Sequence, residues 1–154
     1  GLVVVDISDP KRPDVIGILP TKTVGSFFWR DVKVLGNYAY VVSEDPGHGM
    51  QVLDLSAVAD ITGDPVTLTE TAHYDGFGNA HNVFINTDTA YAYAVGTDTC
   101  AGGLHMVDLA DPVEPSFAGC FSDHAYFHDT QCVIYEGPDA DYQGREISIS
   151  SAAD

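Results

Sequence analysis

The sequence predicts an all-β protein, a β-propeller of four-stranded antiparallel blades present here as a partial set of about three blades, and three observations lead there. Short segments rich in Val, Ile, Tyr and Phe alternate with Gly, Pro, Asn and Asp turns along the chain. Apolar residues do not recur at helical spacing over any useful length. The pattern also repeats about every 50 residues, the span of one four-stranded blade. A β-sandwich would share the first two features, but it does not call for a long four-strand repeat.

Two interleaved series define the repeat. Gly1-Leu2-Val3-Val4-Val5-Asp6, Gly49-Met50-Gln51-Val52-Leu53-Asp54 and Gly103-Leu104-His105-Met106-Val107-Asp108 each place a Gly before an apolar run that ends in Asp. Between them fall Arg30-Asp31-Val32, His81-Asn82-Val83 and His128-Asp129-Thr130. Taken in order, the chain divides into a half-blade over 1–20, a blade over 27–73, a blade over 80–121 and a half-blade over 127–154, together one partial domain. In the first full blade, strands are expected near 29–35, 38–43, 49–55 and 66–73, with Gly36-Asn37 as a tight hairpin turn because both residues tolerate positive φ. Asp6, Asp54 and Asp108 are expected to accept backbone N–H bonds where the third strand of each unit ends. Closed propellers need at least four blades, so the remaining blades are expected outside this segment. A first residue, Gly1, lying inside an apolar run fits a processed or incomplete polypeptide.

Charge narrows the partners. Twenty-three acidic against six basic residues give 154 residues a formal charge of −17, which repels nucleic acid and anionic membranes. No apolar run reaches the roughly 18 residues that a membrane-spanning helix needs, so no membrane insertion is expected.

Several stretches carry a family resemblance. Leu2-Val3-Val4-Val5-Asp6 is similar to the LVIVD repeat. The wider pattern resembles the choice-of-anchor B family of bacterial surface proteins: Trp29-Arg30-Asp31-Val32-Lys33-Val34, His48-Gly49-Met50-Gln51-Val52, His81-Asn82-Val83, Tyr91-Ala92-Tyr93-Ala94-Val95-Gly96, Gly103 to Asp108 and Gln131-Cys132-Val133-Ile134-Tyr135. The resemblance implies a secreted or cell-surface propeller and leaves biochemical activity undetermined.

Within a blade the loop leading into the innermost strand shares a face with the loop joining the second and third strands. Three segments therefore meet at a funnel: 27–31, 74–82 and 124–129. The candidate ligand-binding residues are Trp29, Arg30, Asp31, Glu44, His48, His81, Asn82, His128 and Asp129, a set of imidazoles, carboxylates and one guanidinium beside aromatic rings. They suit a polar ligand, a carbohydrate or a protein, or a network of hydrogen bonds between blades. His48, His81 and His128 are the candidate transition-metal ligands. Asp139, Asp141 and Glu146, in Asp139-Ala140-Asp141-Tyr142-Gln143-Gly144, partly imitate a calcium loop and equally fit a simple hairpin turn.

Cys100 and Cys120 are expected to form a disulfide, which suits an exported protein, with Cys132 left as a buried thiol or as the partner of a residue outside this chain. Two functions follow. One is a secreted binding or structural module with no catalytic residue. The other is a metal-assisted hydrolase or lactonase-like enzyme at the propeller axis.

Overall fold

The computed structural model describes residues 1–25 and 27–153 of the chain. It is all-β: thirteen strands and two short 3-10 turns, Leu55–Val58 and Cys100–Gly102. Four sheets follow one another along the sequence. The first pairs β1 (Leu2–Asp6) with β2 (Asp14–Leu19), and β6 (Val66–Thr67) joins β2. The second has the order β3 (Arg30–Leu35), β4 (Tyr38–Ser43), β5 (Met50–Asp54), β7 (Ala72–Tyr74). The third has the order β8 (Asn82–Asn86), β9 (Tyr91–Val95), β10 (Leu104–Asp108), β11 (Ser116–Phe121). The fourth pairs β12 (Phe127–Ile134) with β13 (Glu146–Ala152). The second and third sheets are thus four-stranded and antiparallel, as the repeat predicts. The expected end of the last segment, Asp154, lies outside the described residues.

The sheets stack face to face in chain order. Tyr40, Val42, Met50, Val52 and Tyr74 of the second meet Val83, Ala92, Ala94, Val107 and Leu109 of the third and its flanks. Tyr93, Val95 and Leu104 meet Phe127 and Cys132 of the fourth. Each Val, Leu, Met or Phe side chain among them, when fully buried, contributes about 1.5–3 kcal/mol. Middle strands lie between two neighbouring sheets, so β4 and β9 are buried almost throughout instead of alternating in and out. The first strands β3, β8 and β12 lie side by side.

Local chemistry sets the turns. Gly36, at φ 56°, makes the β3–β4 hairpin. Asp6, Asp54 and Asp108 accept N–H bonds from Ser8, Ser56 and Ala110 at 2.8, 2.9 and 2.8 Å, the role expected of them. One strand differs from expectation. The stretch 66–73 is not a single fourth strand: Val66–Thr67 runs parallel to β2 of the first sheet, and only Ala72–Tyr74 completes the second. Leu68 drops between them into a core with Leu19, Ala39 and Leu53, and this anchor bends the chain from one sheet to the next.

Candidate functional site

Side-by-side first strands bring their leading ends to one rim. Trp29 precedes β3, His81 precedes β8, and Tyr126 and His128 flank the start of β12. Because β4 runs antiparallel to β3, the loop after β4 returns Glu44 to the same rim, where its N–H donates to the Trp29 carbonyl at 3.1 Å. His81 is the hub. Its ring stacks on Trp29 at 6.0 Å between centroids and meets His128 at 5.1 Å and Tyr126 at 6.1 Å edge-on. His128 and Tyr126 meet at 5.0 Å.

His81 Nδ1 lies 2.6 Å from Glu44 Oε1. A carboxylate only accepts, so Nδ1 carries the proton and Nε2 is left for another partner. The Tyr126 hydroxyl donates to the same Glu44 oxygen at 3.4 Å. Burial first, then the Glu44 charge, raise the Tyr126 phenol above its ordinary pKa. Trp29 is 57% exposed and His128 is exposed, whereas Glu44 and His81 are mostly covered. Aromatic and imidazole rings thus gather around one mostly covered carboxylate, a rim cluster or cup whose indole is exposed.

Four of the nine candidate residues, Trp29, Glu44, His81 and His128, therefore converge. The others have different work. Arg30 pairs with the buried Asp45 at 2.7 Å and donates to the Phe27 carbonyl at 2.7 Å, which ties down the segment before β3. Asp31, Asn82 and Asp129 occupy equivalent strand positions, and each side chain accepts from the next residue's N–H at 2.8 Å. They also bridge sheets: Val83 N–H donates to Asp31 at 3.2 Å, and the Asn82 amide donates to Asp129 at 3.1 Å. Of the nine, four thus meet around His81, Asp31, Asn82 and Asp129 bridge sheets, and Arg30 and His48 belong to neither group.

His48 is fully buried, its Nδ1 3.0 Å from the Gly49 carbonyl, and desolvation lowers its pKa. Among the described residues, no group of three or more His, Cys, Asp or Glu side chains is arranged to hold a metal ion. His48, His81 and His128 do not form one ligand set, because His48 sits in the interior and not at the rim. Nor do Asp139, Asp141 and Glu146. Asp139 accepts from the Asp141 N–H at 3.1 Å inside its own turn, while Glu146 reaches across to Asn86 at 2.6 Å and Thr89 at 3.2 Å in the third sheet.

Tyr126 is the member of the cup that sequence reasoning missed. In extended chain, residues two apart face the same way, so the spacing of Tyr126 from His128 was the signal available. Gly96 and Gly102 make room for it: both have positive φ, and a Cβ at Gly96 would overlap the Tyr126 hydroxyl.

Cys100 and Cys120 are disulfide-bonded, with Cα atoms 5.6 Å apart, and a disulfide fits an oxidising compartment. Cys132 is a buried thiol whose pKa desolvation pushes up to about 11, which keeps it protonated at neutral pH. His105 is buried between sheets, its Nε2 2.8 Å from the Tyr74 hydroxyl and its Nδ1 2.8 Å from the Thr99 hydroxyl.

A family model described as the LVIVD repeat matches residues 1–21 and 29–70, which supports the repeat reading over that part of the chain. No curated protein and no solved structure matches the chain.

Proposed function

We propose that the chain is part of an extracellular β-propeller of the LVIVD-repeat type, akin to choice-of-anchor B surface proteins, and acts as a binding module through the cup of Trp29, Glu44, His81, Tyr126 and His128. The propeller reading draws on face-to-face stacking of sheets in chain order and on neighbouring first strands. The binding reading is carried by one observation: side chains from three successive sheets converge on His81 while Trp29 stays exposed. Exposed aromatic surface beside polar groups costs a fold something and is characteristic of recognition sites.

Trp29 is the chain's single tryptophan, so its fluorescence reports occupancy of the cup directly. Titration of the protein with glycan and peptide panels is expected to give saturable quenching by one ligand class, lost when His81 or His128 becomes Ala. A ligand that binds both variants as it binds the parent protein would refute the assignment.

A hydrolytic alternative has one observation in its favour, the 2.6 Å Glu44–His81 contact, which would orient His81 Nε2 as a general base. Ester or lactone turnover that vanishes in His81→Ala would establish it over simple binding.

A further inference from the structure

We infer that the ligand of the cup is an organic cation, the guanidinium or ammonium of an Arg or Lys side chain in a basic peptide, seated against Trp29 and neutralised by Glu44. This rests on the binding reading above and deepens it. The first ground is the local charge. The positive groups nearest in sequence are already committed: Arg30 to Asp45 and the Phe27 carbonyl, Lys33 to Asp31. Glu44, by contrast, uses Oε1 alone toward His81 and Tyr126, and among the described residues nothing donates to Oε2. A partly covered carboxylate with one oxygen unassigned favours a ligand that brings positive charge and N–H donors.

The second ground is the wall of the cup. Trp29 offers an exposed indole, the ring that attracts cations most strongly, with Phe27 and Phe28 also exposed on the segment before it. A planar guanidinium can stack on the indole while its edge N–H groups reach a carboxylate, a combination that a neutral polar group satisfies only in part. The third ground is the field. A formal charge of −17 raises the local concentration of cations and speeds their encounter with the surface.

Calorimetric titration of the 154-residue chain at physiological salt, with acetyl-Gly-Arg-Gly-amide against its citrulline isostere, tests the inference. Citrulline keeps shape and loses charge. The arginine peptide is expected to bind at least about 10-fold tighter than the citrulline one. Trp29→Ala and Glu44→Gln are each expected to weaken it about 10-fold, and Trp29→Phe less. Asp139→Asn/Asp141→Asn, at the far end of β12, should change it less than twofold if attraction is local rather than general.

Equal binding of the two peptides, or equal losses at the distal pair and at Glu44, would overturn the inference. Melting curves identify any variant that fails to fold, and Glu44→Gln, which retains an acceptor for His81, is the conservative check. A neutral glycan that quenches Trp29 while neither peptide binds would sink the cation and keep the site. Silence from every ligand class would sink both.

Discussion

Strands β1 and β10 carry the same motif in different surroundings. Both follow a Gly, end in an Asp that caps the next turn, and bulge at the same place, between Val4 and Val5 and between Met106 and Val107, opposite Gly17 and Gly119. Yet Val107 and Leu109 are 0% and 1% exposed, whereas their counterparts Val5 and Ile7 are 40% and 69% exposed. β10 is paired on both edges, while among the described strands β1 pairs with β2 alone. The comparison teaches that local shape belongs to the repeat, whereas burial belongs to the neighbours a repeat is given.

The largest effect expected from this contrast is a charge placed at equivalent positions. Val107→Asp should cost about 4 kcal/mol or more, because the carboxylate would be buried without a partner. In the 154-residue chain, where Val5 is 40% exposed, Val5→Asp should cost only about 1 kcal/mol. Urea melts of the two variants check this, and equal losses would break the comparison.

Next comes the disulfide, which staples the third sheet and has no equivalent in the first. Replacing Cys100 and Cys120 by Ala should lower stability by about 3 kcal/mol, given the 20-residue separation. Hydrogen exchange should show the loss concentrated in β10 and β11 and weaker in β1 and β2.

Smaller still is the shared turn. Asp6→Ala and Asp108→Ala remove the same Asp-to-backbone bond, and should lower the melting temperature by small and equal amounts despite the difference in burial around them. A large inequality would mean that the turn is tertiary in origin after all.

The mildest expected effect is a pH slope. His105 occupies the place of Val3 in the repeat, and burial holds its pKa below the ordinary 6.5. Below that value the unfolded chain takes up a proton that the folded chain refuses, so stability falls as pH drops from about 6.5 through the folded pKa. Above it the full contribution is present. His48, also depressed by burial, adds to the same slope. Denaturant melts between pH 7 and 5 should show a shallower decline in His105→Gln.

Sequence patterning made the strands, the Asp turns and the cysteine pair legible, because each depends on residues close in the chain or on an arrangement the repeat fixes. The site was half legible. Trp29, Glu44, His81 and His128 stand out by type and by their position at or next to the end of a strand. Arg30 stands out equally and is consumed by Asp45, whose burial no local pattern announces. Glu146 looks like part of a calcium-type loop until the third sheet supplies Asn86 and Thr89. The break in 66–73 was hidden for a similar reason: the pull on Leu68 comes from Leu19 and Leu53, both distant in sequence.

The amino-acid order by itself determined alternation, turns and the spacing of the repeat, since strand pleat and side-chain capping act over a few residues. Only the tertiary structure decided which valines are buried, which carboxylates are spent on bridges, and that Tyr126 joins His81 and His128. Burial and long-range hydrogen bonds depend on which sheet packs against which, a relation between segments some 50 residues apart that no local window contains.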